Sequence, residues 1–348
     1  MVDFGGHPRT PGLLTIGVDL GGTKVLGVVA DGAGTVQAET LRPSGDGAEA
    51  VLAGLAGVVA ELVAAVPEVE AVGVGVAAMV DYQGVVRFAP NIPGIEGLEV
   101  ATRLEAACHL PVVVDNDANV AALGEVLHGA ARGHSEVLVL TFGTGIGGGI
   151  VTGGRLLRGG HGYAAEVGHF TIDPDGPPCA CGARGHWESF ASGTGLGRMG
   201  REWALRGDAP GVLARAGGDA AAVTGHEVGE SAAAGEADGL ALLDVYARWV
   251  AVGLGGLVNI LDPELVVVSG GLVTLGDLLL DRVQAELPAF VEAPGHREVP
   301  PVVAAGLGPK AGAIGAAALA RPLAESAQEA EDAREAGEAG AVGKAVRG

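Results

Sequence analysis

Short apolar runs recur along the chain, and each breaks at a glycine-rich or acidic turn. Leu13 to Val18 ends at Asp19-Leu20-Gly21-Gly22-Thr23; Val25 to Ala30 follows, then an Asp31-Gly32 turn and a third run around Val36. Apolar runs of this length bounded by turn residues predict a β-hairpin or meander. Ala48 to Val66 carries helical spacing up to Pro67, Ala71 to Val76 and Val112 to Val114 read as buried strands, and Ala118 to His128 reads as a helix. The second half repeats the logic. Val137 to Phe142 runs into Gly143-Thr144-Gly145-Ile146-Gly147-Gly148-Gly149, and Ile150-Val151 resumes a strand. Leu240 to Leu261 has long helical periodicity, Leu265 to Val268 leads into Ser269-Gly270-Gly271, and Val302 to Ala305 precedes the small-residue helix Ala311 to Ala320. Strands alternating with helices, twice over, predict an α/β chain of two lobes with a cleft between them.

Composition narrows this picture. A length of 348 residues suits about two domains. The expected division is a flexible N-terminus (1–12), a small lobe (13–118), a large lobe (119–320) and a disordered acidic tail (321–348), the last because it is Ala/Glu/Gly-rich with almost no large apolar residue. Glycine accounts for 62 residues without a three-residue period, which excludes collagen, and 48% apolar residues exclude wholesale disorder. With only 3% aromatics, the cores must be built from Val, Leu, Ile and Ala. A net charge of −21 argues against nucleic acid or anionic lipid as partners. No stretch of 18 continuous apolar residues and no N-terminal apolar signal region are present, so the expected compartment is the reducing cytoplasm.

In that compartment a Cys-x-Cys pair reads as a metal site before a disulfide. His169, Cys179, Cys181 and His186 lie within eighteen residues in a Gly/Pro-rich loop and make a complete tetrahedral zinc set, hence a structural zinc in a loop spanning 169–186. Cys108 reads as a core thiol. Two glycine loops, Asp19–Thr23 and Gly143–Gly149, expose backbone N–H groups of the kind that bind anions. Thr23 and Thr144 add hydroxyls, Lys24 a cation, and Asp19 a carboxylate for a magnesium ion held through water; neither loop is a Walker A motif. Asn91, Asn116, Asp117, Glu166, His169 and Glu188 are the residue types a polyol needs, because each hydroxyl both donates and accepts. Asp117, at the end of an apolar strand, is also the candidate general base.

Taken together, Asp19-Leu20-Gly21-Gly22-Thr23-Lys24, Asp115-Asn116-Asp117-Ala118-Asn119, Gly143 to Gly149, Glu166-Val167-Gly168-His169 and Cys179 to Glu188 resemble the ROK family of repressors and sugar kinases, most of all its bacterial glucokinases. The motifs fall in the family's order from about residue 13 to 320. The resemblance implies an actin-like ATPase (ribonuclease H-like) fold whose two lobes close on a sugar and MgATP. It implies that Asp117 takes the proton from the sugar's 6-hydroxyl, and that Asn91, Asn116, Asp117, Glu166, His169 and Glu188 hold the sugar. Gly21, Gly22, Thr23, Thr144 and Gly145 would cradle phosphates, with Asp19 near the magnesium, and Gly270 and Gly271 would approach the adenosine. A homodimer or homotetramer is the family habit. Two departures stand out: His186 replaces a third cysteine, and Ala77-Ala78-Met79 replaces a frequent Pro-Gly. Glucose is the first expected substrate, other hexoses or N-acetyl amino sugars the next. A sugar-sensing repressor is the competing reading; the short segment before the first strand and the net charge of −21 count against it.

Overall fold

The computed structural model describes residues 12–345, with side chains for 12–329, so all but Gly12 of the expected flexible N-terminus lies outside the described residues. Contacts divide the chain into two units, Met1–Gly124 with His161–Tyr163 and Lys310–Gly348, and Glu125–Gly160 with Ala164–Pro309.

In unit 1 the strands β1 (Leu14–Leu20), β2 (Lys24–Ala30) and β3 (Val36–Pro43) lead to helix α1 (Ala48–Ala65) and strand β4 (Val69–Val76). A hairpin of β5 (Met79–Val80) and β6 (Val86–Phe88), helix α2 (Val100–Cys108), strand β7 (Val112–Asn116) and helix α3 (Asp117–His128) follow. The five-stranded sheet has the order β3-β2-β1-β4-β7, antiparallel through the first three strands and parallel through β1, β4 and β7. Ile16, Val18, Val72 and Val74 are buried with Leu55, Val58 and Leu62 of α1 in one core.

Unit 2 repeats that topology. It contains β8 (Val137–Phe142), β9 (Ile146–Thr152) and β10 (Arg155–Leu156), then α4 (Trp187–Ala191), α5 (Gly193–Arg206), α6 (Pro210–Arg215), α7 (Gly225–Ala233) and α8 (Ala237–Leu261). Strand β11 (Leu265–Ser269), helix α9 (Asp277–Glu286) and strand β12 (Val302–Ala304) complete it, with sheet order β10-β9-β8-β11-β12. The expected loop Gly143–Gly149 is shorter than its glycines suggest. The turn is over by Ile146, and Gly147 to Gly149 lie in β9 opposite β8. A Cβ on Gly148 would come within 2.5 Å of Val167, so here glycine serves packing.

Both α1 and α8 are long and apolar enough to cross a membrane, although the sequence holds no unbroken apolar stretch of that length. In α8, 61% of the most apolar stretch is buried inside the protein, which makes it the central helix of unit 2; in α1 the share is 33%.

The last helix, α10 (Ala311–Ala345), returns to unit 1. Its small residues let its backbone lie almost on the sheet: a Cβ on Gly17 would stand 1.9 Å from the Ala313 carbonyl oxygen, and one on Gly73 1.8 Å from that of Ala316. Two sequence expectations are corrected here. The large lobe does not run from 119 to 320; the division falls after Gly124, and α10 packs with unit 1. Nor is the chain disordered from 321, since α10 continues through Pro322, and Ala324 is fully buried beside Leu13 and Ala71. Alanine- and glutamate-rich sequence is good helix former once its first turns are packed.

Candidate active site and metal cluster

In unit 1 the chemistry gathers where the parallel strands end. Asp115, Asn116 and Asp117 close β7 and open α3. Asn116 caps that helix, its Oδ1 accepting from the N–H groups of Ala118 (2.8 Å) and Asn119 (3.1 Å). Its Nδ2 donates to the Ala78 carbonyl (3.2 Å) and to Asp117 Oδ1 (3.0 Å). Both ends of the Asn116 amide are therefore engaged inside unit 1, and the side chain orients the Asp117 carboxylate. Beneath them, fully buried Asp115 accepts from the Asn116 N–H (2.8 Å) and from Asn119 Nδ2 (2.9 Å).

The β1–β2 turn carries Gly21 to Thr23. Gly21 N–H closes the turn on the Lys24 carbonyl (3.0 Å), and Ser44 Oγ donates to the Gly22 carbonyl (3.0 Å). A Cβ on Gly22 would stand 2.7 Å from the Asn91 carbonyl oxygen, so the turn and the exposed Asn91 are neighbours. Burial raises the Asp19 carboxyl to about 6, against a smaller opposing pull from Lys24. A largely buried carboxylate is a hard oxygen ligand chemically suited to a divalent ion.

In unit 2 the equivalent β8–β9 turn holds Thr144 and Gly145. The N-terminus of α5 braces it: Gly193 N–H donates to the Gly143 carbonyl (2.8 Å), and Thr194 Oγ1 to the Thr144 carbonyl (2.7 Å). Gly143 and Thr144 of this turn, with Gly271, Leu275, Thr224, Gly225 and Arg201, line a pocket of about 740 Å³. Gly270 beside it has φ +94°, and a Cβ there would stand 2.3 Å from the Phe142 carbonyl oxygen, so only glycine fits.

Glu188, on α4, reaches the same turn, its Oε2 accepting from the Ile146 N–H (2.8 Å) while its Oε1 accepts from Cys179 Sγ (3.5 Å). The Glu166 side chain is 41% exposed and its Oε2 lies 4.0 Å from His169 Nε2. Loss of surrounding water raises the Glu166 carboxyl, His169 opposes this and Glu188 adds to it. Just before it, Ala165 has φ +71° and its carbonyl accepts from the Val167 N–H, a tight three-residue turn that presents Glu166.

His169, Cys179, Cys181 and His186 come together as the sequence predicts, with one donor atom from each within 4.8 Å of all the others. His169 Nδ1 lies 3.7 Å from Cys179 Sγ, and His186 Nδ1 lies 3.3 Å from Cys181 Sγ. Tetrahedral zinc with bonds of about 2.0–2.3 Å needs ligand atoms roughly 3.3–3.8 Å apart, so both pairs fit. His169 turns Nδ1 to this cluster and Nε2 toward Glu166. Burial lowers His186, with His169 adding to the effect, and burial pushes the Cys179 thiol up. A bound cation reverses the thiol's preference, because the ligand is the thiolate.

A profile of the ROK family matches residues 15–322. The chain belongs to the ROK family. Its sequence is 40% identical to the glucokinase of Streptomyces coelicolor over 311 residues, which is 88% of this chain and 98% of that one. It is 35% identical to the glucokinase of Thermotoga maritima, over 89% of this chain and 98% of that enzyme. Among solved structures it resembles the ROK glucokinase of Streptomyces griseus in complex with glucose and AMPPNP, with a TM-score of 0.79, 39% identity and 99% of that chain covered. The two sheets of matching order are accordingly those of the actin-like ATPase fold of ROK proteins.

Several residues of this ROK chain escape sequence reasoning. The helices α5 and α7, which wall the unit 2 pocket, are marked locally by their caps. Ser192 accepts from Gly195 N–H, and Thr224 forms a capping box with Glu227. The pairing of Glu188 with Ile146 joins positions 42 residues apart and has no local signal.

Proposed function

We propose that this chain transfers the γ-phosphoryl group of MgATP to the 6-hydroxyl of glucose. The observation that carries the proposal is the 40% identity to a glucokinase across 98% of that enzyme's length. Asp117 accepts the 6-hydroxyl proton as that oxygen attacks the γ-phosphorus, the bond to the ADP oxygen breaks, and ADP leaves with the bridging electron pair. Asn116 fixes the direction of the Asp117 carboxylate through its Nδ2. Asn91, Glu166, His169 and Glu188 serve the remaining hydroxyls. The turns at Gly21–Thr23 and Thr144–Gly145 receive phosphate oxygens, Lys24 adds positive charge, and the pocket lined by Gly271, next in the chain to Gly270, takes the nucleoside. Asp19 would hold the magnesium ion, which neutralises phosphate charge when bound. Cys179, Cys181, His169 and His186 would hold a structural zinc ion, which ties down their loop and fixes the ring of His169 when bound.

We place the enzyme in the cytoplasm, where its three unpaired cysteines stay reduced. Val245 and Ile260 are exposed apolar residues on α8, Ile260 by 78%, and they support a homodimer or homotetramer. The deciding experiment is ADP release from MgATP against glucose, mannose, fructose, N-acetylglucosamine and N-acetylmannosamine, with Asp117→Asn alongside. Turnover greatest on glucose and lost in the variant is expected. Sugar binding without turnover on any of the five points instead to a sensor.

A further inference from the structure

Glu188 stands where three parts of unit 2 meet. It sits on α4, a short helix anchored by fully buried Trp187, whose indole N–H donates to the Trp249 carbonyl (2.9 Å). The backbone carbonyl of Glu188 accepts from the Ser192 N–H (3.1 Å), and Ser192 in turn caps α5. The carboxylate is thus held on a rigid base. Of its two oxygens, Oε1 accepts from Cys179 Sγ while that sulfur is a thiol, and Oε2 accepts from the Ile146 N–H at 2.8 Å whatever the state of the sulfur. That second contact bears on the turn, because Ile146 is the residue that ends it. Besides its own bond from Gly143 N–H to the Gly145 carbonyl (3.0 Å), the turn is braced from outside by two bonds on its carbonyls from α5 and by Glu188 on its N–H side. A Cβ on Gly145 would come within 2.2 Å of Glu188 Oε2, so the glycine is there to admit the carboxylate.

We propose that Glu188, beyond holding a sugar hydroxyl, is the positioning residue of the glycine turn that receives the nucleotide's phosphates. This rests on the assignment of that turn to phosphate. A carboxylate accepting from a backbone N–H makes a charge-assisted hydrogen bond, and its loss frees the turn to move away from the shape that fits the phosphates. Nucleotide affinity therefore depends on a side chain read first as a sugar ligand, and it does so with no sugar present. A sugar hydroxyl settling on Glu188 also steadies the turn, so the two substrates bind cooperatively through one carboxylate.

The test is titration calorimetry of the magnesium complex of AMPPNP, without and with glucose, on the full chain and three variants. Glu188→Ala is expected to weaken nucleotide binding in the absence of sugar by about tenfold or more, the usual consequence of losing a hydrogen bond to a charged partner. Glu188→Gln keeps an oxygen for the Ile146 N–H and is expected to stay within about threefold of wild type. Glu188→Asp, whose carboxylate is one methylene short of the Ile146 N–H, is expected to resemble Glu188→Ala, and it carries the test if Glu188→Ala does not fold. Equal nucleotide affinity in wild type and in the folded variants that lose this contact overturns the assignment of Glu188 alone. A wild-type chain that binds no nucleotide overturns the proposed function, and this assignment with it.

Discussion

Asn116 Nδ2 lies 3.0 Å from Asp117 Oδ1, and the other end of the same amide caps α3. The aim of the proposed base and the start of its helix are therefore set by one side chain. Asp117→Asn is expected to lower kcat by about 10²–10⁴ while sugar affinity and stability stay near wild type. Asn116→Ala is expected to lose about 0.5–2 kcal/mol of stability with its cap, as well as part of kcat. In the double variant kcat should fall no further than in Asp117→Asn, since Asn116 acts on catalysis through Asp117. Steady-state kinetics and urea unfolding of the three variants check this; additive losses in kcat would separate the two residues.

The cluster at His169, Cys179, Cys181 and His186 predicts about one zinc per chain, because four ligands complete a tetrahedral site. Elemental analysis of the purified protein should find it in the wild type and not in the Cys179→Ser/Cys181→Ser double variant. Chelation should lower the unfolding temperature of the wild type and leave that of the double variant unchanged. Metal-free wild type, purified without chelator, would remove the claim.

Two neighbours of the site have backbone conformations that favour glycine, and only one of them is glycine. Ala165 has φ +71°, and a left-handed alanine costs about 1–2 kcal/mol relative to the right-handed form. Ala165→Gly is expected to stabilise by roughly 0.5–1 kcal/mol after the extra freedom of glycine in the unfolded chain is counted. Gly270→Ala should act in reverse and more strongly, costing at least about 2–3 kcal/mol, because its Cβ would stand 2.3 Å from the Phe142 carbonyl oxygen at φ +94°. Urea midpoints that move in the same direction for both would contradict this account.

Asp19 gives stability a pH dependence of definite sign. Its carboxyl sits at about 6 in the fold against 3.8 unfolded, so between those values the folded state binds more protons. Its contribution is therefore fullest below about pH 4 and declines as the pH rises through 6, by about 3 kcal/mol in all. Asp19→Asn lacks that decline. Unfolding by urea at pH 4.5 and pH 7.5, without magnesium, should show the wild type losing ground to the variant at the higher pH; a constant difference would sink the assignment.

Much of this was legible in the sequence because it is local. Strands such as β1 and β8 are short apolar runs bounded by turn residues, and the four metal-type ligands fall within eighteen positions. What could not be read is what depends on distant partners. Gly147 to Gly149 look like loop until β8 is placed beside them. The segment from Arg321 looks disordered in isolation, yet Ala324 is buried against residues some 250 to 310 positions earlier, Ala71 and Leu13. Asn116 has the composition of a sugar ligand, and only the positions of Ala78, Ala118 and Asn119 make it a cap.

The return of α10 to unit 1 has a consequence for how the protein is made. Thr15 Oγ1 donates to the Ala317 carbonyl, 302 residues away, and α10 lies along β1 and β4 at Gly17 and Gly73. Unit 2 is encoded almost without interruption from Glu125 to Pro309, so it can be complete on the ribosome while the first strands synthesised still lack their covering helix. The usual order, in which the N-terminal domain folds first, is inverted: the sheet of β1 and β4 waits for α10. Until then the glycine-lined face of β1 and β4 is bare, and the fold closes only when α10 can pack on it.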